Sequence, residues 1–156
     1  MIKKNELVYI CSPLSAPTEA EIRENMSLAR FYVKMVAGEF HCRAIAPHSF
    51  LPEYLDDNIP EEREIGLQFG LSVLELSKAM VVCGNRISKG MLGEIRRAKE
   101  LRIPVYALVI QGNEISLTGF EEKEEYHDMQ VCKKHFSETL QIIRFFPGRV
   151  FPLFRL

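Results

Sequence analysis

The segment Gly84 to Ala98, GNRISKGMLGEIRRA, holds the residues best suited to chemistry. Ser88, Lys89 and Gly90 fall where a helix begins, and the free backbone N–H groups of a helix N-terminus, together with its dipole, suit a phosphate or a sugar hydroxyl. Gly90 has no side chain to hold a ligand away, and Asn85 and Met91 lie in the same stretch. Glu94 follows Gly90 by one helical turn, so its carboxylate rises on the same side as this cup. A carboxylate so placed can attack the anomeric carbon of a sugar, as glycosidase carboxylates do through oxocarbenium-like transition states. The same residues have a plainer reading, in which Ser88 caps the helix and Glu94 pairs with Arg97 on its surface.

Weaker candidates surround this segment. His48 follows Ala46-Pro47 and either contacts a base or phosphate or makes local hydrogen bonds. Phe50 and Tyr54 can stack on a nucleobase or anchor their loop, and Arg63 and Arg86 can meet a phosphate or stay solvated. No GxGxxG follows the first apolar run, and GxxxxGK[ST], GxSxG and HExxH are missing. This weighs against dinucleotide binding, P-loop hydrolysis, serine hydrolysis and zinc-protease chemistry. Cys11, Cys42, Cys83 and Cys132 are scattered without CxxC spacing, so they read as reduced core residues, with no metal or cofactor expected.

The elements that must position these groups alternate. Leu7 to Cys11 is a short apolar run broken by Ser12 and Pro13, which reads as a strand and loop. Thr18, with Glu21 three residues on, caps a helix whose apolar stripe runs through Ile22, Met26, Ala29, Tyr32 or Val33, and Val36 until Gly38. Cys42 to Ala46 is a second strand, and Phe50 to Pro60, with two prolines and two aspartates, is an exposed loop. A helix from Glu61 carries Ile65, Phe69, Val73 and Leu76. Ala79 to Cys83 is a third strand, Lys89 to Arg102 a third helix, and Ile103 to Ile110 a fourth strand with Pro104 at its start.

Short, nearly unbroken apolar strands alternating with amphipathic helices predict a doubly wound, Rossmann-like α/β domain: a parallel sheet of four to five strands in a three-layer sandwich, with the first strand central. In such a sheet ligands bind beyond the carboxyl ends of the strands, which selects Tyr9 to Pro13, Pro47 to Glu64 and Gly84 to Glu94. Beyond Ile110 the pattern weakens. Glu121 to Glu125 reads as a solvated helix face, Val131 to Phe145 as a helical stripe, and Val150 to Leu156 as an apolar tail for a sheet edge or a neighbouring subunit.

The 156 residues fit one domain, and 47% hydrophobic with 26% charged residues is a folding composition. A net charge of -1 offers no field to attract a nucleic-acid polymer or an anionic membrane. The first residues are polar and no apolar run approaches the ~20 residues of a membrane span, so a cytoplasmic protein is expected.

The order VYICSP, then IAPH with its Pro- and Asp-rich loop, then AMVVCG and SKGMLGEIRRAKELRIPVY resembles the nucleoside 2-deoxyribosyltransferase-like superfamily, and within it the small bacterial and phage branch. The resemblance covers roughly 7–106, most specifically the helix around Glu94, and leaves 107–156 as a C-terminal helical or oligomerisation segment. It implies a flavodoxin-like fold in a homo-oligomer that cleaves or exchanges the N-glycosidic bond of a deoxynucleoside or nucleoside 5′-monophosphate. Glu94 would be the nucleophile that forms a glycosyl-enzyme intermediate, Tyr9 would position it, and Ser88 and Gly90 would hold the 5′ end of the sugar. Ser12, Pro13, His48, Asp56, Asn85 and Met91 complete the expected substrate contacts.

The family pattern has an aspartate in the helix before the third strand and an acidic residue at the start of that strand, where this chain carries Ser72 and Met80. The general acid is therefore sought in Asp57 or Glu64, beside Asp56, with at least one of the three approaching Glu94 across the crevice. The alternatives are a nucleotide-binding or sensor module of weak chemistry, and an oligomeric interaction subunit.

Overall fold

The computed structural model describes residues 1–112 and 114–121. Leu7–Cys11 forms β1, whose last four residues are buried. Helix α1 spans Glu19–Phe40 and begins with a capping box: the Thr18 hydroxyl accepts from the Glu21 backbone N–H while the Glu21 carboxylate accepts from the Thr18 N–H. Met26, Ala29, Tyr32, Met35 and Val36 form its buried face. The helix runs past Gly38 and ends at His41, which takes the left-handed conformation at φ 50°. A lone interior glycine costs about 1 kcal/mol, too little to stop a helix whose neighbouring turns pack on a core.

β2, Arg43–Ile45, leads into single turns of 3-10 helix at Pro47–Ser49 and Leu51–Glu53. α2, Pro60–Leu76, starts on a proline, whose missing N–H would be unpaired there anyway. β3, Ala79–Val82, is fully buried; α3 spans Lys89–Glu100, β4 Val105–Gln111 and β5 Glu114–Gly119.

The sheet order is β2-β1-β3-β4-β5. β1 is interior and parallel to both neighbours, with Tyr9 opposite Ile45 on one side and Met80 on the other. β3 and β4 are also parallel. β5 is the departure from expectation: it pairs antiparallel with β4 as an added edge strand in a stretch where the sequence pattern had faded. Its alternating exposure, with Ile115 and Leu117 turned inward, is that of a strand covered on one face only, which gives a weaker signal than a continuous apolar run.

Strand parity sorts the core into two layers. Val8, Ile10, Val81 and Cys83 pack with α1, while Tyr9, Cys11, Met80 and Val82 pack with Leu74 of α2 and Met91, Ile95 and Ala98 of α3. The result is a three-layer, flavodoxin-like α/β sandwich. The chain moves outward from β1 to β2 and then back across it to β3, so the strand order reverses between β1 and β3, and that is where such sheets open a crevice. No helix among the described residues is long and apolar enough to cross a membrane. Beyond Glu121, the rest of the charge run, the stripe over 131–145 and the tail at 150–156 lie outside the described residues.

Candidate active site

Two chain ends meet at this reversal point. Gly84 follows β3 with φ 100°, and a Cβ there would sit 2.8 Å from Cδ of Pro13, so only glycine lets the ends of β1 and β3 approach so closely. Ser12 and Pro13 are buried at this junction and Asn85 lies beside it.

The fold brings Tyr9 and Glu94 together across 85 residues: the Tyr9 hydroxyl donates to Oε1 of Glu94 at 2.9 Å. Tyr9 is rooted in β1 and 1% exposed; Glu94 is carried by the face of α3 that buries Met91, Ile95 and Ala98. Burial pushes the Glu94 carboxyl above the usual carboxylate range, opposed by donors from Cys11 and Tyr9 that favour its ionised form. Burial, with the Glu94 charge nearby, pushes both the Tyr9 phenol and the Cys11 thiol up, so each stays protonated as a donor. The pairing of Glu94 with Arg97 does not form; Arg97 holds Glu75 at 2.8 Å and Glu100 at 3.2 Å instead.

Ser88 is the N-cap of α3: its hydroxyl accepts from the Met91 N–H at 3.3 Å. Gly90 is exposed, and the nearest atom to a Cβ built there is Ser88 Oγ at 3.9 Å, so among the described residues no other side chain crowds the helix start at this point. Met91 is turned into the core, 3% exposed, with its sulfur accepting from the Ser88 N–H; the expected ligand contact there is a packing residue.

On the β2 side, His48 Nε2 lies 2.7 Å from Oγ of Ser12, which is 5% exposed. Burial lowers His48 to about 4, which leaves the imidazole neutral at pH 7. The acidic loop is placed differently. Asp56, Asp57 and Glu64 are all exposed. Asp56 accepts from the Asn58 backbone and side chain, Asp57 faces Arg63 at 3.9 Å, and Glu64 accepts from Gln68 at 2.8 Å. None of them is hydrogen-bonded to Tyr9 or Glu94, whose described partners are each other and Cys11. An exposed carboxylate with a local partner has nothing to draw it out of water.

Three contacts went unread in the sequence. Cys11 lies two residues beyond Tyr9 on a strand, so period two alone puts it on the same face. The Ser12–His48 pair joins the ends of two adjacent strands and leaves no local signature. Gly70 of α2 faces the Tyr9 hydroxyl, which a Cβ at 70 would touch at 3.4 Å. Among the described residues, no three His, Cys, Asp or Glu side chains converge to hold a metal ion.

A family model described as a domain of unknown function, DUF7768, matches residues 6–108. No curated protein matches the chain. Among solved structures, a 2-deoxyribosyltransferase from the psychrotolerant bacterium Bacillus psychrosaccharolyticus is similar with a TM-score of 0.49 and 16% identity, over 65% of this chain and 70% of that one.

Proposed function

The chain belongs to the DUF7768 family, a domain of unknown function, and from its paired Tyr9 and Glu94 we propose that it cleaves or exchanges the N-glycosidic bond of a (deoxy)nucleoside or nucleoside 5′-monophosphate. The single observation that carries this reading is the 2.9 Å bond from the Tyr9 hydroxyl to a carboxylate held in dry surroundings beside the reversal point. Burying a carboxylate there costs desolvation energy, and carboxylates perturbed in this way concentrate at functional sites.

In this reaction the Glu94 carboxylate attacks C1′ of the sugar, the C1′–N bond breaks with its electron pair going to the base, and a glycosyl ester forms. Water, or a second base, then attacks C1′ and frees the carboxylate. Tyr9 keeps the nucleophile ionised and fixes its aim. The open space over Gly90 takes the 5′ end of the sugar, and neutral His48, tied to Ser12, offers a hydrogen bond to the base. With Asp56, Asp57 and Glu64 engaged locally, the leaving base takes its proton from water.

That same placement favours a second reading, a nucleotide-binding module of weak chemistry. Incubation with deoxynucleosides and their monophosphates, followed by chromatography of the free base, separates the two. We expect base release that Glu94→Gln abolishes. Ligand-induced stabilisation without release favours the binding module, and release retained by Glu94→Gln removes Glu94 from the reaction.

We also propose a homo-oligomer. Ile65, Phe69 and Leu76 fall within about 40° on the helical wheel of α2, on the side opposite buried Leu74, and are 58%, 43% and 70% exposed. An apolar stripe turned outward on a helix supports cover by a second copy. Phe69→Lys with Ile65→Lys is expected to lower the mass measured by light scattering.

A further inference from the structure

The junction of β1 and β3 also borders a hollow on the α1 side of the sheet, the face opposite Tyr9 and Glu94. Asn25, Leu28 and Tyr32 line it from successive turns of α1, Ser12 from the end of β1, and Asn85 and Arg86 from the loop after β3. Tyr32 is 5% exposed, and its hydroxyl makes no hydrogen bond to any described residue. No polar side-chain atom described is both sealed from solvent and unpaired, so this hydroxyl opens onto the hollow. A phenol hydroxyl placed there, with no partner in the described fold, is free to donate to an acceptor seated in the hollow.

The other groups agree in kind. Asn25 donates to the Leu14 carbonyl at 2.9 Å and Arg86 to the Ser15 carbonyl at 2.5 Å, which fixes the loop after β1 as one wall. Each of these bonds uses one N–H of its side chain and leaves the remaining guanidinium donors of Arg86 available. None of the lining residues is acidic. A cationic fork, a phenol hydroxyl and amides around a small recess are the chemistry that recognises an oxyanion.

We propose that this hollow is a second binding site, for a phosphate group, in which Arg86 supplies the charge and Tyr32 and Asn85 supply directional donors. It lies outside the Tyr9–Glu94 chemistry and does not depend on the reading of Glu94 as a nucleophile. Its phosphate comes either from a nucleotide whose sugar lies across the junction or from a separate inorganic ion.

Calorimetric titration with inorganic phosphate at constant ionic strength, with chloride as the reference, tests it on the full chain. We expect wild type and Glu94→Gln to bind equally well, Tyr32→Phe to bind about three- to tenfold more weakly, and Arg86→Gln about tenfold or more. Tyr32→Phe removes only a hydroxyl with no partner in the described fold, so the variant keeps its packing, and its circular dichroism and melting curve verify this. Displacement of inorganic phosphate by a nucleoside 5′-monophosphate, but not by the nucleoside, identifies the nucleotide's own phosphate as the occupant; simultaneous binding identifies a separate ion. The proposal is overturned if wild type shows no heat beyond the chloride reference, or if Tyr32→Phe and Arg86→Gln both bind as wild type does, which would mark an adventitious ion only.

Discussion

The two stretches that flank the crevice are built by opposite means. α3 sets Met91, Ile95 and Ala98 into the sheet, and the backbone so fixed delivers Glu94 onto Tyr9. The stretch from Tyr54 to Phe69 buries almost nothing, and among the described residues its carboxylates are held by near neighbours in sequence such as Asn58, Arg63 and Gln68. The difference shows how a charged side chain acquires a place. Packing on both sides of Glu94 outweighs the desolvation of its carboxyl, whereas Asp56, Asp57 and Glu64 lie on backbone with no comparable anchor and keep their hydration. His48 marks the border between the regimes: Pro47 and Ser49 on either side of it are buried, and it is the last residue of that loop bonded to the end of β1.

The comparison can be broken at its strong side first. Glu94→Gln should lower base release by several orders of magnitude while sparing the fold, since an amide is nearly isosteric but forms no glycosyl ester. Its effect on stability should depend on pH in a defined sense. The folded carboxyl titrates above its ordinary value of 4.5, so the folded state holds the proton over a window in which the unfolded state has lost it. Wild-type stability therefore falls as pH rises through that window and levels off above it. Urea denaturation across the window should show this slope in wild type and not in Glu94→Gln.

His48 should impose the opposite slope. Its folded value near 4 lies below the ordinary 6.5, so its contribution is fully present above pH 6.5 and is lost as pH falls toward 4. The loss is on the order of 3 kcal/mol if that displacement is realised in full. His48→Gln should flatten the acid side of the stability curve, and an unchanged curve would mean that the imidazole accepts its proton freely in the folded state.

Tyr9→Phe sharpens the comparison further. Removing a donor to a charged acceptor is worth about 1.5–3 kcal/mol, so base release should fall roughly ten- to a hundredfold and the acid limb of its pH profile should move to higher pH. Steady-state rates across pH measure both, and a pure loss of rate with no movement of the limb would assign Tyr9 to packing alone. The smallest effect is expected on the exposed side. Asp57→Asn and Glu64→Gln remove contacts of the exposed kind, worth about 0–1 kcal/mol, and should change melting temperature and base release little. A loss of release approaching that of Glu94→Gln would show that the loop closes over the crevice when substrate binds.

The alternation of apolar runs with amphipathic stripes was enough to establish the doubly wound sheet, the capping box at Thr18, and the placement of Glu94 one turn above the start of α3. These are local matters of period and cap, written within a few residues of one another. β5 escaped because a strand covered on one face alternates weakly, and the end of α1 escaped because a single glycine is a small cost beside the packing around it.

What only the tertiary structure decided is which partners each polar group finds. Tyr9 and Glu94 are 85 residues apart, Ser12 and His48 36, and the order β2-β1-β3 alone brings them to one edge of the sheet. Spacing alone favoured a surface pair of Glu94 with Arg97, and the absence of the family's acids at Ser72 and Met80 made Asp57 and Glu64 candidates for the acid. Folding gave Arg97 to Glu75 and Glu100, and left the acids on a loop and on the outer turns of α2. Periodicity specifies which face of an element is buried, because burial is a property of the element; a hydrogen bond between distant side chains depends on how two faces meet, and that is settled only when the sheet has assembled between them.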